Sequence, residues 1–137
     1  MILKIEKPYI WLPISKNAPE KKLHFYIKGK KVQEIDIHLG KADGEFYGCW
    51  DASEFLGKEL QIEGAEKELL QGIFCYEKPY ENAYPYRPKL HFAPVVGWHN
   101  DPNGMVYADG VYHLYYQWNP YGTGWGNMHW GHVKSTD

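Results

Sequence analysis

The residues with the clearest potential for chemistry lie together in residues 98–104, which read WHNDPNG. This segment puts the carboxylate of Asp101 beside an amide and an indole, a combination suited to holding a sugar. Because the ring of Pro102 disfavours a helical backbone at the residue before it, we expect Asp101 to be extended. Residues 102–104 predict a tight turn, since proline presets φ and asparagine or glycine accepts positive φ. An ordinary polar turn between two strands explains this heptad alone equally well.

Strand patterns follow the heptad. Residues 105–108 and 111–118 flank an Asp-Gly pair at 109–110, which is the sequence signal of a type I′ hairpin. After the hairpin, a loop rich in glycine and proline carries Trp125, and a third strand-like run covers residues 128–133. Alternation along the second run predicts one face with Val111, His113, Tyr115 and Gln117, and the other with Tyr112, Leu114, Tyr116 and Trp118.

Several motifs in this part of the chain occur in a recognisable order and at compatible spacing. They are Arg87-Pro88, His91-Phe92, and the segments 97–104, 112–120 and 125–132. Together they resemble the start of the catalytic domain of glycoside hydrolase family 32, which includes invertases, levanases, inulinases and sucrose-6-phosphate hydrolases. The resemblance covers about the last third of the chain. It implies a five-bladed β-propeller whose innermost strands line a funnel for one fructosyl unit.

The resemblance also implies roles for single residues. Asp101 corresponds to the nucleophile that attacks the anomeric carbon of fructose and forms a covalent fructosyl-enzyme. Asn100 and Gln117 correspond to residues that hydrogen-bond the same sugar. Trp125 corresponds to an apolar contact with it, and Trp98 to a residue that lines the pocket.

Position 99 departs from the family pattern. The family commonly carries methionine or another apolar residue there, whereas this chain carries His99. The departure leaves Asp101 in place, but it changes the polarity and the pH response that we expect of the site.

A retaining glycosidase needs two carboxyl groups about 5 to 5.5 Å apart, one ionised and one protonated. The chain offers Asp101 for the first role and no comparable residue for the second, because its glutamates all precede residue 82 and Asp109 is explained by the hairpin turn. An alternative is that Glu77 or Glu81 folds back towards the nucleophile. The resemblance implies that the acid/base glutamate and a sugar-binding Arg-Asp pair come from later blades. We therefore expect the isolated chain to be inactive.

The length of 137 residues is too short for a complete propeller, whose blades take about 40 to 50 residues each. We expect a small β-sandwich-like accessory domain over residues 1–77, a connector rich in proline and tyrosine over 78–90, and the truncated propeller's first blade over 91–137. The predicted fold class is therefore all-β. The expected macromolecular partners are the missing downstream blades of the same protein and, through the exposed edge of the blade, a second copy of the chain.

The first part of the chain has about five strand-like runs, with turn signals at the spacing of a small sandwich. It resembles, more loosely, the β-sandwich domains that precede the propeller in some bacterial members of the family. Trp11 and Trp50 are its candidates for stacking on sugars, and packing in the core is the alternative for both. We expect a structural role, covering the flank of the propeller or mediating assembly.

Composition excludes several classes of function. The net charge is −2 and the basic residues are scattered, which argues against a nucleic-acid partner. No apolar run has the length of a membrane span and the N-terminus lacks a signal-peptide pattern, so we expect a cytoplasmic protein, or a secreted one if a leader has been removed. Cys49 and Cys75 form neither a metal pair nor a redox motif, and we expect two free thiols.

The histidines do not predict a metal site. His129 and His132 are three residues apart, and in a strand their side chains point to opposite faces. His91 and His113 lie in strand-like segments where structural imidazoles are common. The resemblance likewise implies chemistry without a metal or other cofactor.

Two functions of different class remain. The first is the N-terminal part of a retaining β-fructosidase that hydrolyses sucrose or fructans. The second is a noncatalytic sugar-binding or assembly module. They are distinguished by whether the reading frame continues past Asp137 into further blades that contain an acid/base glutamate.

Overall fold

The computed structural model describes residues 1–42, 44–80 and 87–137. In these residues ten strands form three antiparallel sheets, so the all-β prediction is confirmed. The strands are β1 (Ile2–Lys4), β2 (Tyr9–Ile14), β3 (Lys21–Ile27), β4 (Lys30–Ile37), β5 (Phe46–Asp51), β6 (Glu59–Glu63), β7 (Phe74–Tyr76), β8 (Trp98–Ala108), β9 (Val111–Asn119) and β10 (His129–Ser135). One 3₁₀ turn, Ser53–Phe55, and one short helix, α1 (Lys67–Leu70), complete the described elements.

Two of the sheets share one core and form what we call the N-terminal sandwich, residues 2–76. One sheet has the strand order β1-β6-β3-β4 and the other β5-β2-β7. Alternation in β3 explains the packing, because Leu23 and Phe25 are fully buried while Lys22 is exposed. The Phe25 ring lies 5.3 Å from that of Trp50, which is 8% exposed. Trp50 is therefore a core residue.

Trp11 lies outside this core, in a cluster of aromatic side chains. Its ring centroid is between 4.6 and 5.6 Å from those of Tyr47, Phe74, Tyr76 and Tyr80. The indole N–H donates to the carbonyl of Lys78 at 3.0 Å. Trp11 is half-buried, so this cluster forms part of the surface.

The connector is described only at its two ends. Residues 81–86, including Glu81, lie outside the described residues, and the domain boundaries at 77 and 90 stay predictions. Glu77 accepts a hydrogen bond from Lys7 at 2.5 Å. This bond lowers the pKa of Glu77, which favours the ionised form and opposes the role of general acid.

The third sheet, which we call the C-terminal sheet, has the order β8-β9-β10. Asp109 and Gly110 join β8 to β9 with φ of 51° and 80°, as a type I′ turn requires. The expected tight turn at residues 102–104 is wrong, because these residues lie inside β8. The pairing of β8 with β9 shifts register twice in this region, between Asn100 and Pro102 and between Asn103 and Val106. Pro102 is tolerated because β8 is at the edge of the sheet.

The described helices include none that is long and apolar enough to cross a membrane. Cys49 is buried and Cys75 is half-buried, and both are free thiols. Burial raises the pKa of the Cys49 thiol, which keeps it protonated and unreactive.

Candidate active site

The candidate nucleophile occupies a bulge in the edge strand of the C-terminal sheet. Asn100 pairs with Gln117 and Pro102 pairs with Tyr116, so Asp101 is an extra residue between two paired positions. Its φ is +30°, and the expectation of an extended backbone is wrong. The bulge must turn the chain back into register, and this requirement overrides the preference of a residue that precedes proline. Aspartate tolerates positive φ better than most residues, and its carboxylate here is exposed.

The two candidate amides meet directly beside this bulge. Asn100 Nδ2 donates to Gln117 Oε1 at 3.4 Å, and both side chains are half-buried. Antiparallel pairing of β8 with β9 explains the contact, because directly opposed residues project to the same face. The structure therefore brings Asn100, Asp101 and Gln117 together at one end of the strand pair.

Trp98 begins β8 opposite Asn119. The turn into the strand depends on Gly97, whose φ is +79° and where a Cβ would lie 2.1 Å from the carbonyl oxygen of Asn119. Trp98 is half-buried and lines a cleft of about 490 Å³ that Phe46 and Tyr47 of the N-terminal sandwich also line.

His99 packs on the face opposite the amide pair. Its ring lies edge-on to Phe92 and Tyr116, with centroids 5.8 Å and 5.2 Å away. Its Nε2 atom is buried and makes no hydrogen bond within the described part of the chain. His99 thus takes the packing position of an apolar residue, which explains how the site accommodates the departure from the family pattern.

Trp125 lies in the loop between β9 and β10 and is 77% exposed. Its ring takes no part in the aromatic contacts among the described residues, unlike the indole of Trp118. The indole of Trp125 is therefore presented to solvent from this loop. Tyr116 is the buried ring beneath the strand pair, and its loss of solvation raises its pKa.

The sequence did not reveal a pair of histidines on the amide face of this sheet. His113 Nδ1 lies 2.9 Å from His132 Nε2, and the His132 ring stacks on Tyr115 at 4.1 Å. Partial desolvation, with the nearby positive potential of His113 and Lys134, lowers the pKa of His132. The register between β9 and β10 brings His113 and His132 together. In the sequence, the only signal for this contact is the alternation that places each histidine on one face of its own strand.

The site has one carboxylate with nucleophilic potential. The glutamates among residues 1–42, 44–80 and 87–137 all belong to positions 6–77, in or beside the N-terminal sandwich. In the same residues no group of three or more histidine, cysteine or acidic side chains is placed to bind a metal ion. What the described residues offer is an exposed carboxylate, that of Asp101, with two amides in contact beside it and the Trp98 indole on the same strand.

Residues 91–137 match the family model described as the Glycosyl hydrolases family 32 N-terminal domain. This segment is similar to glycoside hydrolase family 32. It contains each candidate site residue, including Asp101. We refer to it below as the family 32 segment.

The chain is similar to several curated relatives. It is 64% identical over 52 residues to a levanase of Bacillus subtilis (strain 168), covering 38% of this chain and 8% of the relative. It is 47% identical over 72 residues to an extracellular exo-inulinase of Aspergillus awamori, covering 50% and 12%. It is 54% identical over 78 residues to a sucrose-6-phosphate hydrolase of Zymomonas mobilis, covering 57% and 14%.

The chain therefore spans only about a tenth of the length of these relatives. A solved structure of a glycoside hydrolase family 32 protein from Bifidobacterium adolescentis matches all of this chain and 25% of its own, with 24% identity and a TM-score of 0.36.

Proposed function

We propose that the chain is the N-terminal part of a retaining β-fructosidase that hydrolyses sucrose or fructans through a covalent fructosyl-enzyme on Asp101. The observation that carries the proposal is the position of this carboxylate, in a bulge beside the Asn100–Gln117 pair of a family 32 segment. The similarity to a levanase, an exo-inulinase and a sucrose-6-phosphate hydrolase supports fructose-containing substrates.

In the first step the Asp101 carboxylate attacks the anomeric carbon of the fructosyl unit, and the glycosidic bond breaks. The leaving oxygen takes a proton from an acid/base carboxyl group that downstream blades supply. In the second step a water molecule gives a proton back to that group and attacks the same carbon, so that fructose leaves and Asp101 is regenerated. Two inversions at one carbon give overall retention.

The amides of Asn100 and Gln117 would hold sugar hydroxyls during both steps. A 3.4 Å contact is at the long end of a hydrogen bond, so exchanging it for bonds to a sugar costs little. Trp98 would form an apolar wall, and the exposed Trp125 would cover the sugar from the loop.

The proposal is tested on the full-length protein that contains this chain. We expect incubation with sucrose, levan and inulin to release free fructose above a buffer blank. Acid quenching followed by proteolysis and mass spectrometry should find one fructosyl unit on a peptide that contains Asp101. A modified peptide from another part of the protein would place the nucleophile elsewhere.

We also propose that the 137-residue chain alone does not turn over these sugars, because residues 91–137 contain no glutamate that could act as the acid/base with Asp101. Fructose release by the isolated chain would overturn this proposal.

The second candidate is a noncatalytic sugar-binding or assembly module. The aromatic cluster around Trp11 favours it, since Phe74 and Tyr76 are 37% and 45% exposed. Binding of levan to the isolated chain, together with no fructose release by the full-length protein, would favour this module over the enzyme.

A further inference from the structure

We propose that the N-terminal sandwich positions the sugar-contacting loop of the family 32 segment. Two residues of this loop, Tyr121 and Asn127, fasten it to the sandwich on either side of Trp125. The effect on sugar binding rests on the proposed function, whereas the attachment itself rests on the packing of Tyr121 and the hydrogen bonds of Asn127.

Tyr121 is the first attachment point. Its side chain is 3% exposed and belongs to the hydrophobic core of the N-terminal sandwich, although it follows β9 of the other sheet. The backbone here lies directly against Gly48 of β5. A Cβ on that glycine would be 3.2 Å from Tyr121 Cα and 3.3 Å from the carbonyl oxygen of Pro120. The sandwich thus has a pocket that holds the Tyr121 side chain. A side chain at position 48 would reduce the space for the backbone at residues 120–121.

Asn127 is the second attachment point. Its Oδ1 accepts the N–H of Asp36 at 2.9 Å, and its Nδ2 donates to the carbonyl of the same residue at 2.7 Å. Asp36 lies on β4, the edge strand of its sheet, so this amide satisfies both main-chain groups as a neighbouring strand would. Asparagine also suits the backbone, since the φ of Asn127 is +41°.

Asn119 makes the loop itself compact. This side chain is 4% exposed; it donates to the carbonyl of Gly124 at 2.9 Å and accepts from the N–H of Tyr121 at 3.0 Å. It also accepts from Asn127 Nδ2 at 3.4 Å, which connects it to the second attachment point. The loop is therefore fixed at Gly124 and again at Asn127.

Only Trp125 and Gly126 lie between these fixed points. The 77% exposed indole is thus presented on a short span whose two ends are held, one by the loop and one by β4. Restricting the span reduces the conformational entropy that sugar binding must remove. Releasing the Asn127 attachment should weaken binding of the sugar without changing Asp101, so Asn127 is a positioning residue.

The test compares Asn127→Ala, Asn127→Asp and the control Asn17→Ala in the full-length protein. Asn17 is an exposed asparagine of the N-terminal sandwich. Hydrogen exchange with mass spectrometry reports the peptides that contain Asp36 and Trp125. Steady-state kinetics with sucrose gives KM and kcat.

We expect Asn127→Ala to speed exchange in both peptides by about tenfold, with peptides from β3 unchanged. KM should rise about fivefold or more at an unchanged kcat. Asn127→Asp should also speed exchange in both peptides, since it keeps the acceptor for the Asp36 N–H but places a carboxylate oxygen against the Asp36 carbonyl oxygen. The control should match wild type in every measurement.

Unchanged exchange in the two peptides of Asn127→Ala would overturn the attachment. Faster exchange at an unchanged KM would overturn the positioning role. If the wild-type protein releases no fructose, the proposed function fails, and the exchange data still decide whether the sandwich holds the loop.

Discussion

Asn100 donates a hydrogen bond to Gln117 across the β8–β9 pair, and the extra residue of the adjoining bulge is Asp101. Strand pairing orders the amides of Asn100 and Gln117, whereas Asp101 has no pairing partner on β9. A bulge re-aims a side chain while strand pairing continues on both sides of it. Under the proposed function, this arrangement separates the two amides that would bind the sugar from the carboxylate that would attack the anomeric carbon.

Replacing the candidate nucleophile should abolish activity. In the full-length protein we expect Asp101→Asn to lower kcat by about 10³-fold or more, since an amide cannot form the covalent intermediate. The fold should be retained because asparagine also tolerates positive φ. Fructose release and circular dichroism measure the two effects. Asp109→Asn is the matched control, since it changes another aspartate of positive φ, at the hairpin turn. Near-normal turnover by Asp101→Asn would exclude this residue as the nucleophile.

Gly131 should be intolerant of a side chain. A Cβ there would lie 2.0 Å from Cζ of Tyr116, a ring that is 6% exposed and packs on Phe92. We expect Gly131→Ala to lower the free energy of unfolding by about 1 to 3 kcal/mol through overpacking. Gly124→Ala is the control, because a Cβ there meets nothing within 4 Å and the change should stay within about 0.5 kcal/mol. Urea unfolding compares the two, and equal midpoints would contradict the prediction.

The pair of histidines should make stability depend on pH. The pKa of His132 is below its ordinary value of 6.5 in the folded chain, so the unfolded chain binds this proton at a higher pH. As the pH falls from 6.5 towards the folded pKa, the unfolded state holds more protons and the free energy of unfolding decreases. A second proton on the pair also removes the bond between His113 and His132.

We expect a small effect because the His132 side chain is exposed. Denaturant unfolding between about pH 5 and 7 should show a weaker pH dependence for His132→Gln than for wild type. His91→Gln alters another exposed histidine and should leave the slope as it is. Identical slopes in wild type and His132→Gln would rule out this linkage.

The isolated chain should associate through its edge strand. Met105 and Tyr107 of β8 are 75% and 61% exposed, on a strand that has a free edge in the described sheet. We expect light scattering to show oligomers whose population falls in Met105→Lys. Ile2→Lys, at the β1 edge of the N-terminal sandwich, replaces a residue that is 69% exposed and should not change the mass. A monomer at all concentrations would contradict the prediction.

Local patterns predict the elements of this fold well. The Asp-Gly pair at 109–110 predicts the hairpin, and alternation of apolar residues predicts β3 and its buried face. These features depend on neighbours that are close in sequence, so short patterns contain the necessary information.

Features that depend on register or on distant contacts could not be predicted in this way. The φ of Asp101 follows from a bulge, which is defined only once β8 and β9 are paired. The contact between Asn127 and Asp36 joins residues 91 positions apart. Tyr121 looks like a surface loop residue in the sequence, and its burial requires the packing of the N-terminal sandwich.

Gly48 limits which other modules could replace the N-terminal sandwich beside the C-terminal sheet. A replacement module with a bulky residue at that place would collide with the main chain at 120–121 even if its own strands folded correctly. We expect chimaeras whose donor strand carries a larger residue opposite the tyrosine to be less stable than chimaeras that keep glycine there. The N-terminal sandwich therefore cannot be exchanged freely for another module. It should be transferred together with the loop that contains Tyr121.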